Sequence, residues 1–196
     1  PQGGFLLSSS EDETFHRRLN NAMFPGVCSS YHLHHVAGKV MALAEFMEYG
    51  EAYATDIVSN ARAFAGALAA EGFDVLAESR GYTASHQVLT RHGELDSGAG
   101  AKAAQRLEEA GIITNMNMLP GDTKAMTPSG LRLGVQELTR VGFSNDDMEE
   151  VASFYARVLL HGEDPAAVRA DVHALKQQRQ TIRYCFNEDE RSGYPE

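Results

Sequence analysis

The sequence places a single arginine, Arg132, between two glycines in a short segment, 130–134, that is typical of a β-strand. A planar guanidinium binds a carboxylate through two parallel charged hydrogen bonds, so it can fix the orientation of a ligand that carries a carboxylate. The flanking glycines would allow neighbouring backbone to pack closely. The same pattern also fits an ordinary surface arginine on a strand, so the residues alone leave both interpretations open.

Three histidines, His32, His34 and His35, follow Cys28 at a predicted junction between a loop and a helix. They could suggest a metal site, but we predict none. His32 and His35 are three residues apart at the junction, and no carboxylate accompanies them at a helical offset. Histidines held by hydrogen bonds in a core or an interface are the favoured interpretation.

Composition and charge limit the classes of partner. The 196 residues are 43% hydrophobic, which is enough to bury a core, and the formal net charge is −10. This charge argues against nucleic acid or an anionic membrane, because phosphate contacts need clustered Lys and Arg. No apolar run approaches the roughly 20 residues of a membrane span, and no signal peptide is recognisable.

The two cysteines, Cys28 and Cys185, are far apart and form neither a CxxC pair nor a disulfide framework. A reducing, cytoplasmic setting is therefore expected. The chain begins at Pro1 without an initiator Met, so we expect a fragment, a cleaved chain or an interrupted chain.

The periodicity predicts an α/β chain in which helices come first and short strands alternate with helices afterwards. Gly50 is expected to end a helix that starts at Leu33, and Gly72 to close a second long helix. Strands are predicted at 4–8, 73–77, 86–90, 112–114 and 130–134. Other helices are predicted at about 10–22, 99–110, 144–160 and 164–178, and an irregular loop at 23–32.

Five segments, taken in order over residues 1 to about 160, together resemble one known family. They are Pro1-Gln2-Gly3-Gly4; Phe24-Pro25-Gly26 with His34 and Ala37-Gly38-Lys39; Thr83-Ala84-Ser85-His86; Ile113-Thr114-Asn115-Met116-Asn117 with Pro120 and Asp122; and Ser129-Gly130-Leu131-Arg132-Leu133-Gly134 with Thr139-Arg140 and Gly142-Phe143. In this order they resemble the C-terminal half of the serine hydroxymethyltransferases, which are pyridoxal-phosphate (PLP) enzymes.

The resemblance implies an α/β fold, namely the C-terminal portion of a fold type I PLP-dependent transferase. Residues 1–50 would end the PLP-binding large domain, 51–72 would form a long connecting helix, 73–185 a small C-terminal α/β domain, and 186–196 a mobile tail. The lysine that binds PLP is expected upstream of Pro1, in the rest of the same polypeptide or in a companion N-terminal chain. No catalytic residue is therefore assigned within this chain, and a homodimer or homotetramer is expected.

The resemblance also implies roles for individual residues. Arg132 would hold the substrate α-carboxylate. Ser29 and Ser30 stand, with Tyr31, where the family has Gly-Gly-Pro in a loop that reaches the PLP phosphate across the dimer. Hydroxyl groups can also donate to phosphate, although an ordinary polar loop is the alternative.

Three further residues are implied as supporting groups at the rim of the site. His34 matches the family histidine, His86 would hydrogen-bond near the active-site rim, and Asn115 lies in a segment near the folate and the domain junction. A packing histidine and an ordinary turn-forming asparagine remain the alternatives.

Departures from the family pattern lie where folate and phosphate are handled. Ser85 replaces an asparagine, Val135-Gln136-Glu137 replaces Thr-Pro-Ala, and the loop from Gly121 to Pro128 is shorter and lacks a phenylalanine, with Met126 nearby. We therefore doubt the use of tetrahydrofolate and favour a folate-independent threonine transaldolase or aldolase, including the fluorothreonine-forming branch. Such an enzyme makes or breaks the Cα–Cβ bond of β-hydroxy amino acids, with amino-acid and aldehyde substrates.

Two alternatives remain from the sequence. One is a serine or α-methylserine hydroxymethyltransferase that uses tetrahydrofolate. The other, from a different class, is a non-catalytic subunit that binds no PLP.

Overall fold

The structure is a computed structural model and describes residues 3–30 and 32–186. The motif residues Pro1, Gln2 and Tyr31, and residues 187–196 of the predicted tail, lie outside these residues. The chain divides into two compact units, residues 1–48 and residues 49–196.

The first unit is helical after an irregular start. Helix α1, Glu13–Asn21, begins after Asp12, whose carboxylate accepts the Thr14 N–H at 2.8 Å. A kinked turn, Ala22–Val27, follows and contains Phe24 and Pro25 in non-helical conformations. The predicted helix and the irregular loop after it are therefore confirmed.

The strand predicted at residues 4–8 is wrong. The segment has no regular structure, and the side chains of Phe5, Leu6 and Leu7 are 65%, 66% and 85% exposed. A strand needs a neighbour to pair its N–H and C=O groups, and the described strands pair with one another in the order β1-β2-β4-β3.

Helix α2, Leu33–Glu71, is one continuous helix of 39 residues, so the predicted break at Gly50 is wrong. A glycine inside a helix costs only about 1 kcal/mol relative to alanine. Neighbouring helix-forming residues such as Glu48, Glu51 and Ala52 supply enough propensity for the hydrogen-bond ladder to continue. The expected end is observed, because Gly72 follows the helix with φ of 101°.

The second unit contains a four-stranded antiparallel sheet in the order β1-β2-β4-β3. The strands are β1 Asp74–Val75, β2 Gln87–Arg91, β3 Asn115–Asn117 and β4 Gly130–Gly134. The α-helices of this unit, besides the C-terminal part of α2, are α3 Ala99–Glu109, α4 Gln136–Arg140, α5 Asp147–Leu159 and α6 Pro165–Gln178. A short 3-10 helix, Glu78–Arg80, lies between β1 and β2. The mixture of helices and sheet confirms the predicted α/β class.

One face of the sheet is buried against helices and the other is open. Val88, Thr90, Leu131 and Leu133 point to the buried face and are at most 3% exposed. They join a core with α2 residues such as Phe64 and with side chains from α3, α5 and α6. The alternate residues of β2 and β4 lie on the other face, as the two-residue period of a strand requires.

Two details of this unit differ from the prediction. The strand predicted at 112–114 lies three residues later, at Asn115–Asn117, because its register is set by pairing with β4 rather than by its own apolar residues. The short helix α4 was not predicted, since its five residues carry no helical periodicity of their own. Val135, fully buried just before it, fixes its position.

No helix within the described residues is long and apolar enough to cross a membrane.

Candidate functional site

Arg132 projects from the middle of β4 onto the open face of the sheet. Its neighbours in the sequence, Leu131 and Leu133, are buried, while the arginine itself is exposed. Within residues 3–30 and 32–186, no side chain or carbonyl makes a hydrogen bond or an ion pair with its guanidinium. A rigid strand therefore presents a cation whose donors remain available to a ligand.

The two residues beside Arg132 on this face come from the neighbouring strands. Antiparallel pairing places Asn115 of β3 directly opposite Arg132 on one side and Leu89 of β2 on the other. Directly opposed residues have Cβ atoms about 5 Å apart. Asn115 therefore sits within reach of whatever the guanidinium binds.

His86 lies just before β2, beside the end of β4, whereas the β2 residue directly opposite Arg132 is Leu89. Its carbonyl accepts the N–H of Val135 at 3.2 Å, just beyond the end of β4, and the residue is half-buried. The preceding turn is built from hydroxyl groups: Thr83 Oγ1 accepts the Ser85 N–H at 3.0 Å, and Ser85 Oγ accepts the Gln87 N–H at 3.2 Å. Ser85, although it replaces the family asparagine, thus still caps the start of β2.

The loop between β3 and β4 is held by two aspartates, of which the sequence drew attention to only one. Asp122 accepts the N–H groups of Leu119, Ser129 and Asp96, and the Ser129 hydroxyl. Burial alone would raise the pKa of Asp122, but these hydrogen bonds outweigh it and hold the pKa well below its usual range.

Asp96 was missed by the sequence analysis. Its carboxylate accepts the Thr123 hydroxyl at 2.7 Å and the N–H groups of Thr123 and Lys124, both at 2.8 Å. The Thr123 hydroxyl and these two N–H groups lower the pKa of Asp96. The only local signal was the turn-like run from Leu95 to Gly98, which does not reveal a partner 26 residues away.

Two surface cavities of the second unit lie apart from Arg132. One, of about 360 Å³, is lined by Val141, Gly142, Ser144, Asp147, Gln178, Arg179, Thr181 and Arg183. The other, of about 250 Å³, is lined by Asp56, Ser59, Asn60, residues 143–146, Arg183 and Tyr184. Both cavities flank the segment that follows α6, and neither is lined by Arg132. The candidate site is therefore assigned to the exposed guanidinium of Arg132 rather than to either cavity.

The remaining predicted site residues belong to the first unit. Ser29 and Ser30 are exposed in the segment that leads into α2, and no described residue makes a hydrogen bond with either hydroxyl. The N-terminus of a long helix, with its free N–H groups, favours an anion, and serine hydroxyls add donors. These features suit a phosphate group.

The three histidines pack against one another at the start of α2. The ring centroids of His34 and His35 are 4.3 Å apart, and His32 lies 5.7 Å and 5.8 Å from them. His35 Nδ1 is buried without a hydrogen-bond partner in the described part of the chain. Within that same part, no group of three His, Cys, Asp or Glu side chains is arranged to hold a metal ion.

Comparison with known proteins gives concordant matches. The family model of serine hydroxymethyltransferase matches residues 7–155. The serine hydroxymethyltransferases of Pyrococcus abyssi and Thermococcus kodakarensis are each 53% identical to this chain over 95% of its length, and the enzyme of Methanopyrus kandleri is 47% identical over 95%.

A solved structure matches as well. The L-threonine transaldolase of Pseudomonas fluorescens, determined in its internal aldimine state, superposes with a TM-score of 0.79 at 30% identity. The match covers 90% of this chain and 40% of that one. The chain likewise spans 44% of the length of its relatives from Pyrococcus and Thermococcus.

Proposed function

Because this chain belongs to the serine hydroxymethyltransferase family, with the fold of part of a fold type I PLP-dependent enzyme, we propose that the complete protein makes and breaks the Cα–Cβ bond of β-hydroxy amino acids. The observation that carries the proposal is the exposed guanidinium of Arg132, which lies on β4 between the buried side chains of Leu131 and Leu133. We assign to it the α-carboxylate of serine, glycine or threonine.

The residues of this chain fit two parts of a PLP site. The hydroxyls of Ser29 and Ser30 ahead of α2 suit the cofactor phosphate of a partner subunit, in a homodimer or homotetramer. Arg132 suits the substrate carboxylate. The lysine that binds PLP belongs to the upstream polypeptide in this proposal, and the boundaries 1–50, 51–72 and 73–185 correspond to the large domain, the connecting helix and the small domain.

The contribution of Arg132 is orientation. PLP, when bound, supplies an electron-withdrawing ring that accepts the electron pair of a bond broken at Cα. Which bond breaks depends on how the amino acid is rotated about its link to the ring. A guanidinium that grips both carboxylate oxygens removes this rotational freedom, and Asn115 opposite it supplies an amide that can hydrogen-bond to the same carboxylate.

Serine hydroxymethyl transfer is the first activity to test. Relatives with that name are 47–53% identical over nearly the whole chain, whereas the transaldolase is 30% identical. A folate-independent transaldolase is the second candidate, supported by the loop 121–128, in which Met126, 85% exposed, stands near the place of the family phenylalanine.

The test uses the complete protein with its cofactor. Serine cleavage is measured with and without tetrahydrofolate, and threonine is offered with a second aldehyde under both conditions. Folate-dependent serine cleavage supports the first activity, and aldehyde exchange without folate supports the second. Absence of both reactions, with correctly folded and cofactor-loaded protein, would overturn the proposal.

The role of Arg132 has its own control. Arg132→Lys keeps the charge but loses the planar two-point grip, so KM for serine rises by about 10- to 100-fold. Arg91→Lys is the matched variant, because Arg91 is a strand arginine of β2 already paired with Asp74 at 3.2 Å. It leaves KM within about twofold, as expected for a surface ion pair. Equal effects of the two substitutions would contradict the assignment.

A further inference from the structure

Two aspartates on separate loops, Asp96 and Asp122, each accept backbone N–H groups from the other's loop. Both loops lie near the start of β4. Asp122 Oδ1 accepts the Asp96 N–H at 2.7 Å, while the Asp96 carboxylate accepts the N–H groups of Thr123 and Lys124 next to Asp122. The loop between β2 and α3 and the loop between β3 and β4 are thus joined in both directions. We call this pair the carboxylate clamp.

The clamp acts directly on the start of β4. Asp122 Oδ2 accepts the Ser129 N–H at 3.0 Å, the Ser129 hydroxyl at 2.8 Å and the Leu119 N–H at 2.9 Å. Ser129 is fully buried, and its carbonyl accepts the His92 N–H at 3.0 Å. One carboxylate oxygen therefore holds Ser129, the residue immediately before β4.

Gly130, the residue after Ser129, is packed closely between Leu119 and α3. A Cβ on Gly130 would lie 2.4 Å from the Leu119 side chain, and a Cβ on Gly100 of α3 would lie 2.2 Å from the Gly130 carbonyl oxygen. Leu119 and α3 thus leave no free space around Gly130. Because Asp122 also holds the Leu119 N–H, a shift of the clamp must move Gly130, and Arg132 is only two residues further along the same strand.

The acceptor atoms of the clamp are engaged by donors of the chain. Every oxygen of the two carboxylates takes at least one N–H or O–H group. The pair is therefore arranged to hold backbone rather than to bind a cation. Through Asp122 the clamp holds Ser129, which lies three residues before Arg132.

We infer that Asp96 is a positioning residue, which acts through Asp122 and Ser129 to hold Arg132 in place for a ligand carboxylate. The inference rests on the role proposed above for Arg132. A site that grips a carboxylate at two points needs the guanidinium within a fraction of an ångström of its productive place. Loosening the clamp should therefore weaken binding of ligands that have a carboxylate and spare those that lack one.

The experiment is a double-mutant cycle in the complete, cofactor-loaded protein, with dissociation constants from calorimetry. Asp96→Ala is expected to weaken glycine binding by about 10-fold and glycinamide, which lacks the carboxylate, by less than about twofold. In the Arg132→Lys background, Asp96→Ala should change glycine binding by less than about twofold. Independent, multiplicative losses, or equal losses for glycine and glycinamide, would overturn the inference.

A matched control comes from the same turn. Glu94 is exposed two residues before Asp96, and no described residue makes a hydrogen bond or an ion pair with its carboxylate. Glu94→Ala should leave glycine binding within about twofold of the unsubstituted protein. If Glu94→Ala weakens glycine as much as Asp96→Ala, the effect belongs to general acidity of the turn and the inference fails.

A second readout follows the clamp without the ligand. Hydrogen exchange of residues 115–132 should be faster in Asp96→Ala, because the Thr123 and Lys124 N–H groups lose their acceptor. The loop that carries Asp122, the acceptor of the Leu119 and Ser129 N–H groups, is then held less firmly. Asp96→Asn keeps the left-handed conformation that Asp96 adopts at φ 59° and loses the acceptor for the Thr123 hydroxyl, so it should show a smaller change in the same direction. It serves if Asp96→Ala does not fold, and unchanged exchange together with unchanged glycine binding would contradict the clamp.

The outcomes distinguish a failure of the role proposed for Arg132 from a failure of the role inferred for Asp96. If Arg132→Lys leaves glycine binding unchanged, the assignment of the carboxylate to Arg132 fails, and the role of Asp96 fails with it. If Arg132→Lys weakens glycine while Asp96→Ala acts independently of it, the assignment to Arg132 stands and the positioning role of Asp96 is wrong.

Discussion

Asn115 and Arg132 lie directly opposite each other in the antiparallel pair of β3 and β4, on the open face of the sheet. Both side chains are exposed within the part of the chain that the structure describes. This pairing places a neutral amide, rather than a carboxylate, beside the guanidinium. The cation therefore keeps its charge available for a ligand.

A carboxylate at position 115 should occupy the guanidinium. In Asn115→Asp the new side chain faces Arg132 at cross-strand distance and competes with the substrate carboxylate, so KM for serine should rise by about 10-fold. Asn115→Ala, which removes the amide without adding charge, should raise KM by only about twofold to threefold. Steady-state kinetics of the complete protein distinguish them, and equal KM values for the two variants would contradict a binding role for Arg132.

A buried amide joins α2 to the segment after β4. Asn60, 3% exposed, donates from Nδ2 to Thr139 Oγ1 at 2.9 Å and to the Phe143 carbonyl at 3.0 Å. Asn60→Leu leaves that carbonyl buried without its donor and should lower the free energy of unfolding by about 2–3 kcal/mol. Ser59→Ala, at the neighbouring half-buried position, removes a hydroxyl that accepts from Asn145 Nδ2 at 2.9 Å, and it should cost only about 1 kcal/mol. Thermal unfolding of the complete protein and hydrogen exchange over 136–143 measure both, and equal losses would be the contrary result.

Elements with local signals were predictable from the sequence. Asp164-Pro165 predicts the start of α6, and the structure has the Asp164 carboxylate accepting the Ala166 N–H at 3.0 Å with Pro165 as the first helical residue. The strand β4 was predicted at its observed bounds, because the alternation of buried and exposed residues between Gly130 and Gly134 is contained in the strand itself.

Elements that depend on distant partners were not predictable. The register of β3 comes from β4, and the continuity of α2 through Gly50 depends on the balance of a whole helix rather than on one glycine. The candidate site shows the same division. Arg132 was singled out through the resemblance of its segment to the family, because its residue type and strand alone also fit a surface arginine. The contacts of Asp96 with Thr123 and Lys124, in contrast, form only in three dimensions.

Two helical glycines should respond in opposite ways to alanine. Gly66 lies in α2 with nothing within 4 Å of an added Cβ, so Gly66→Ala should raise the free energy of unfolding by about 0.5–1 kcal/mol through helix propensity. Gly100 of α3 lies against the backbone of Gly130, where an added Cβ would come within 2.2 Å of the carbonyl oxygen.

Gly100→Ala should therefore lower the free energy of unfolding by about 1–3 kcal/mol despite the gain in propensity, because backbone cannot move aside as a side chain can. Hydrogen exchange over α3 and β4 measures the loss locally, and thermal unfolding measures it globally. A stabilised Gly100→Ala protein would show that α3 and β4 are less closely packed than the structure has them.

Acid should weaken the second unit through Asp147, which is 7% exposed at the start of α5. Burial alone would raise the pKa of Asp147, but hydrogen bonds from Arg179, at 2.6 Å and 3.2 Å, and from Ser144 outweigh it, and the pKa is lowered. A carboxyl group whose pKa is lower in the folded state stabilises the fold above its unfolded pKa of about 3.9, and this contribution is lost as the pH falls through the folded value.

Asp147→Asn should therefore lower the unfolding temperature of the complete protein at pH 7, and the difference from the unsubstituted protein should shrink below about pH 4 as Asp147 itself becomes protonated. Arg179→Gln removes the main partner, so adding Asp147→Asn to it should have a smaller effect at pH 7 than Asp147→Asn has alone. A difference that stays constant from pH 7 to pH 3 would mean that the ionised carboxylate of Asp147 is not what stabilises this end of α5.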